Sequence, residues 1–246
     1  MKSYIIILVL CFVCLGCGGV EGQQKTQNEL EESLLAFFDI WLKGDHGSLL
    51  PLPSLNEVTV PALEGAYQDT GIKLSYSTSD MKLTGLPESY IHELVATESD
   101  KSLAVRMLII APSLTLSAEQ YKLDGRAFYF YRIQGAGDMR VNFENSYLAV
   151  DMELATNGKK MWVEKLQFGV EVKKITINLT GASDLVRSTL NRKALSIFAK
   201  YRDEVQVSLK ESVIPLLNSY LADISPDQLL EIIYGLRRKR PDSAAN

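Results

Sequence analysis

The sequence predicts an α+β fold, with a strongly curved antiparallel β-sheet roofed by an N-terminal helix and a long C-terminal helix. Three observations carry this reading. Apolar residues recur at helical spacing over residues 27–43, alternate with polar residues from Gly71 to about Leu179, and return to helical spacing after Ser183. The sheet's apolar face needs a cover, and the terminal helices are the elements able to supply it.

Leu30, Leu34, Phe37, Phe38 and Trp41 define the inward face of the first helix. Glu29, Glu31 and Glu32 stand near its start, where negative charge suits the helix dipole, and Gly44-Asp45 offers a stop. Pro51, Pro53 and Pro61 then favour extended geometry. In the strand region Ile72, Leu74 and Tyr76 alternate with Lys73, Ser75 and Ser77, and Leu103, Val105 and Met107 with Ser102, Ala104 and Arg106. Leu148, Val150, Met152 and Leu154, and then Leu166, Phe168, Val170 and Val172, continue the period. One greasy face and one wet face mean an antiparallel sheet covered on one side. Asn157-Gly158 marks a hairpin turn. Gly135-Ala136-Gly137 lies among strand residues, so it reads as a bulge or a close backbone approach and not as a phosphate loop.

Ser183-Asp184 can cap the last long helix. Residues 184–223 as one helix would run roughly 60 Å, against about 45 Å for a compact ball of this mass. Either the molecule is elongated or the helix breaks, with Pro215 as the expected kink. A short helix over 226–234, behind Ser225, closes the fold. A long helix laid along a wrapped sheet makes a tube, and a hydrophobic cavity remains if side chains leave its axis open.

The chain's first residues point to a compartment. Met1-Lys2 precedes an apolar run over 4–15 and small residues at Gly16, Gly18, Gly19 and Gly22. The run is shorter than the about 20 residues of a membrane-spanning helix. It reads as a secretory signal, residues 1–22, cut after Gly22; an acylated Cys17 is the alternative. Cys11, Cys14 and Cys17 all leave with it, so the single domain expected over 23–235 has no disulfide and rests on its core alone. Residues 236–246, with Arg237, Arg238, Lys239 and Arg240, read as a solvated tail or as a processing or polyanion-binding segment. The net charge of -4 survives the cut, because Lys2 and Glu21 leave together, and offers no broad footprint for nucleic acid.

Catalytic chemistry has little to work with. His46 and His92 are the only histidines, they form no helical pair, and no G-x-S-x-G elbow occurs. No catalytic residue, metal or cofactor is expected. Asn178-Leu179-Thr180 is a glycosylation acceptor on the wet side of its strand, either used or idle.

Three passages resemble a known family. Pro51-Leu52-Pro53-Ser54-Leu55 with Val58-Thr59-Val60-Pro61, Pro112-Ser113-Leu114 with Tyr121-Lys122-Leu123-Asp124-Gly125-Arg126, and Ile133-Gln134-Gly135-Ala136-Gly137 follow one another as in the haemolymph juvenile-hormone-binding and takeout family. Val213-Ile214-Pro215 in the last helix is also similar to the mite group 7 allergens, a second group of tubular lipid-binding proteins. The chain departs from the hormone-binding family in lacking a disulfide near the mature N-terminus. The resemblance implies a sheet wrapped around the long helix, an elongated hydrophobic tunnel, and a secreted carrier of a fatty acid, terpenoid or other lipid without enzymatic activity. The alternative is a secreted module with a filled core that binds through its exterior.

On the carrier reading the tunnel wall is Val105, Met107, Val150, Met152, Phe168 and Val170 from strands, with Phe37, Trp41, Phe198, Tyr201 and Val205 from helices. Tyr76 and Tyr201 would orient the ligand's polar end. The expected partner is a hydrophobic small molecule, with no integral membrane span. Ten to fifteen buried carbons at about 0.8 kcal/mol each cover the roughly 8 to 12 kcal/mol of micromolar to nanomolar binding.

Overall fold

The computed structural model describes residues 28–43, 54–69, 71–127 and 130–237. The expected signal, Pro51, Pro53, His46 and the tail beyond Arg237 lie outside them.

The first helix, α1 (Glu29–Leu42), starts at Asn28. Asn28 Oδ1 accepts from the Glu31 backbone N–H at 2.9 Å, and Glu31 Oε2 accepts from the Asn28 N–H at 3.1 Å. This reciprocal pair satisfies two donors that a helix start leaves open. Glu31 is also buried, and its Oε1 accepts from the Ala96 N–H at 3.1 Å, fastening the helix to the sheet.

Eight antiparallel strands follow in one open sheet: β1 (Val58–Val60), β2 (Glu64–Asp69), β3 (Ile72–Thr78), β4 (Met81–Thr84), β5 (Tyr90–Ser99), β6 (Ser102–Ala127), β7 (Tyr131–Thr156) and β8 (Met161–Leu179). β6 is the spine. Along one edge it pairs in turn with β5, β4 and β3, and along the other with β7 for its whole length. Bulges bend the sheet: β5 carries an extra residue at His92, β8 at Glu164, and β6 carries Glu119-Gln120 opposite Asp138. Pro112 sits inside β6 where the ladder is interrupted on both sides. β5 pairing stops at Ile110, β4 pairing starts at Thr115, and the facing Asn145 leaves the extended region with φ 52°. The β7–β8 hairpin turns on Gly158 at φ 84°, with Asn157 Oδ1 accepting from the N–H groups of Lys159 and Lys160 at 3.1 and 2.9 Å.

The glycine-rich start of β7 shows a close backbone approach at Gly137, where a Cβ would lie 2.9 Å from the Thr180 carbonyl oxygen. The β6 bulge faces it, and a Cβ on Gly135 or Gly137 would lie 2.5 Å from Tyr121 Oη or Thr180 Oγ1. Tyr121 Oη donates to the Thr180 carbonyl at 2.7 Å, closing this corner.

Helical structure continues through Pro215. α2 (Asp184–Leu221) is one helix of 38 residues with Pro215 inside it, about 57 Å long, so elongation is the alternative realised. Packing holds the helix across the missing hydrogen bond. Val213 is buried before the proline, and after it Asn218 Oδ1 accepts from the Val163 N–H of β8 at 2.8 Å. Nearer the helix start, Asn191 takes both backbone groups of Ile177, accepting from its N–H at 2.7 Å and donating to its carbonyl at 2.8 Å. β8 pairs only with β7, so α2 lies along the strand's other edge. The last helix, α3 (Pro226–Arg237), runs three residues past its expected end and is capped by a reciprocal Ser225–Gln228 pair.

Two apolar clusters fill the covered face. The larger joins α1, β1, β4 to β8, α2 from Ala194 to Leu221, and α3; the smaller joins β2, β3, the far ends of β6 to β8, and another face of the first half of α2.

Candidate ligand cavity

The strand register places most of the expected wall in three adjacent rows. Val105, Met152 and Leu166 face one another across β6, β7 and β8; Met107, Val150 and Phe168 form the next row; Ile109, Leu148 and Val170 form the third. Period two puts all nine on one face.

Over these rows lies a cavity of about 150 Å³. Its floor is Met107, Ile109, Leu148, Val150, Met152, Leu166 and Phe168. Its roof is Phe38, Trp41 and Leu42 from α1, Leu55 from the following loop, and Val213 and Leu217 from α2. Every one of these side chains is apolar apart from the Trp41 indole nitrogen. Met107 and Met152 give the floor side chains that adjust to a guest's shape.

A family profile described as haemolymph juvenile hormone binding protein (JHBP) matches residues 19–231. The chain belongs to that family. Among solved structures, this JHBP-family chain is similar to Epiphyas postvittana Takeout 1, with TM-score 0.56 and 17% identity over 81% of this chain and 93% of that one. At that identity the likeness shows the fold. A lipopolysaccharide binding protein structure aligns with TM-score 0.45 and 10% identity over 78% of this chain and 38% of that one, and no argument rests on it. Among curated proteins none matches.

Within the JHBP-family fold the expected site residues divide. Trp41, Met107, Val150, Met152 and Phe168 line the cavity together. Val105 and Val170 share their rows but are packed shut, at 1% and 0% exposure, and do not reach the void. Phe37 turns aside and meets Phe38 edge-on with ring centres 5.3 Å apart. Phe198 packs against the larger cluster from α2 without lining the void. The Val205 side chain lies outside the described residues. Tyr201 belongs to the smaller cluster, its ring 6.3 Å from Tyr67 with the Lys200 ammonium over both rings. Tyr76 lies over Gly65 and is 38% exposed; burial, and then the nearby Tyr201, push its hydroxyl above the usual range. Neither tyrosine stands at this cavity. His92 is the exposed, bulged residue of β5. Among the described residues no group of three His, Cys, Asp or Glu could hold a metal, and no helix is long and apolar enough to cross a membrane.

Sequence reasoning missed Leu55, Ile109, Leu148, Leu166, Val213 and Leu217 as lining. It also missed two buried donors of α2. Arg202 Nε and Gln206 Nε2, one turn apart, are shielded from solvent with no hydrogen-bond partner. On α2 they follow Phe198, which packs on the larger cluster, and Tyr201, which packs on the smaller, and precede Val213 of the larger. An arginine and a glutamine on an otherwise apolar helical stripe were the available signal.

Asn178 is exposed and opens onto a surface hollow of about 560 Å³ lined by Asp80, Lys82, Asp138 and Arg140, among others. A glycan there would meet no packed surface. Expression in an insect secretory system should give a product whose electrophoretic mobility increases on amidase deglycosylation. Asn178→Gln should remove that change, and an untouched wild-type band would mean the acceptor is idle.

Proposed function

We propose that this JHBP-family chain is a secreted carrier that holds a hydrophobic small molecule between the sheet and its helical roof. The observation that carries the reading is the apolar cavity over the Met107–Val150–Phe168 row, covered by α1 and α2. Burial alone supplies the affinity, since each methylene removed from water contributes about 0.8 kcal/mol. The family name and the signal-like residues 1–22 support delivery to an extracellular fluid. No step of chemistry is required of the protein.

A void of about 150 Å³ seats a group of about benzene size, whereas whole-ligand pockets run to roughly 300–1,000 Å³. A longer guest therefore needs its roof displaced. α1 is the element suited to this, because it packs on β5 and α3 at the margin of the sheet. The polar end of the guest has candidates too. Arg202 Nε and Gln206 Nε2 stand outside the lining of the void, and a longer guest that reaches along α2 past the displaced roof would give each a partner in its oxygen, where an unmet buried donor costs about 1–3 kcal/mol.

Native mass spectrometry of the secreted full chain tests the reading, and an added lipid mass is the expected result. Val150→Trp should fill the void and weaken a fluorescent fatty-acid probe at least tenfold, with the thermal midpoint held. Arg202→Met should weaken the acid probe and leave its methyl ester unchanged. If the stripped protein binds neither acid nor ester, the carrier reading fails and binding through the exterior takes its place.

A further inference from the structure

The β6–β7 hairpin end carries a charge pattern that folding does not account for. Lys73, Arg126 and Arg132 stand directly side by side on β3, β6 and β7, because Lys73 pairs with Arg126 and Arg126 with Arg132. All three are exposed on the sheet's wet face. Like charges placed opposite one another across strands destabilise a sheet, so this row works against the fold it sits in. Among the described residues none of the three forms an ion pair. Asp124, the nearest acid on that face of β6, instead accepts from Gln134 Nε2 at 3.0 Å.

At the hairpin tip just past the row two aromatics are exposed, and Tyr131, paired with the buried Ala127, projects from the face opposite the cations, beyond the end of its cover. Phe130 is 76% exposed and Tyr131 51%, with ring centres 4.9 Å apart. Two tilted rings in contact and offered to water are unfavourable in the isolated molecule, as the cation row is. A cation row on one face with bare rings at the tip and on the other face suits end-on contact with the boundary of an anionic bilayer, where arginine and lysine meet headgroups and aromatic rings settle at headgroup depth. A chain of net charge -4 would be repelled by such a surface in most orientations, so this pole would lead.

We infer that the hairpin end, with Lys73, Arg126, Arg132, Phe130 and Tyr131, docks the protein on anionic membrane surfaces. The inference is independent of what the cavity holds.

Co-sedimentation of the full chain with vesicles tests it, using phosphatidylcholine alone and phosphatidylcholine with about one part in three phosphatidylserine. Each cation near an anionic surface multiplies binding about fivefold, so three predict about 100-fold tighter binding to the mixed vesicles. Arg126→Glu with Arg132→Glu should remove most of that preference and weaken with it the salt dependence. Phe130→Ser with Tyr131→Ser should lower binding at high salt. Arg126→Glu alone places an acid between two cations, so its thermal midpoint should hold or rise, which keeps misfolding out of the result. Binding of the fatty-acid probe should be unchanged in all variants. Equal affinity for the two vesicles, or charge-reversed protein that binds like wild type, overturns the inference, and a soluble anionic partner then becomes the occupant to seek.

Discussion

Phe168→Asp is expected to unfold the domain or abolish its capacity to hold lipid. Phe168 stands in the middle of the cavity floor, between Val150 of β7 and the roof residues of α1 and α2. A carboxylate there has no cation on the apolar lining, and an unpaired buried charge costs several kcal/mol. That is a large fraction of the about 5–15 kcal/mol separating folded from unfolded chains. Gln167→Asp, one residue away on the wet face, should cost no more than about 0.5 kcal/mol. Its register partner Asp151 is already neutralised by Lys165 at 2.6 Å and Arg106 at 3.9 Å. Urea melts followed by circular dichroism separate the two variants. Equal midpoints would mean that β8 presents its faces the other way round.

Gly125→Val is expected to have the second largest effect, and at the opposite end of the molecule. Gly125 faces Leu74 in the β3–β6 ladder, and a Cβ there would come within 2.3 Å of the Lys73 carbonyl oxygen and 2.5 Å of Leu74 Cα. Both are backbone atoms of a paired strand, so no rotamer change relieves the clash. Overpacking of this kind typically costs about 1–3 kcal/mol, and more where backbone must move. β3 should part from β6 and loosen the smaller cluster, which depends on Leu74, Tyr121 and Leu123. Hydrogen exchange reads this directly. Amides of 72–78 and 121–127 should lose protection while those of 146–152 keep theirs. Uniform protection with an unchanged melt would show that the strands accommodate the side chain.

The large architecture was readable because two periods, 2 and 3.6, are written plainly over long stretches. Period two also sorted Met107, Val150, Met152 and Phe168 onto the covered face, and the register then aligned them. What periodicity cannot express is where a face is packed and where it is open. Val105 and Val170 share that face with Met107 and Phe168, yet they are sealed into the core. Helical spacing placed Phe37 and Phe38 equally well, and only contact with the sheet shows that Phe38 looks into the void. Tyr76 followed the alternation of β3 but lies near its end, where the cover runs out and the side chain is 38% exposed. Pro215 signals a kink or a break in sequence alone, and the helix runs on through it, with Val213 and Asn218 anchored on either side. Polar residues were the least legible. Glu31, Asn191 and Asn218 take their roles from backbone groups far away in sequence, which no local pattern records.

The fastening of α2 to β8 bears on how such a protein survives in solution. A terminal strand with free N–H and C=O groups is a template on which another chain can add a strand, and repetition of that step grows fibrils. Here Asn191 answers both backbone groups of Ile177, and Asn218 answers Val163 near the strand's other end. The helix between them stands where an incoming strand would lie. Two amides and a rod thus close the β8 edge to strand addition.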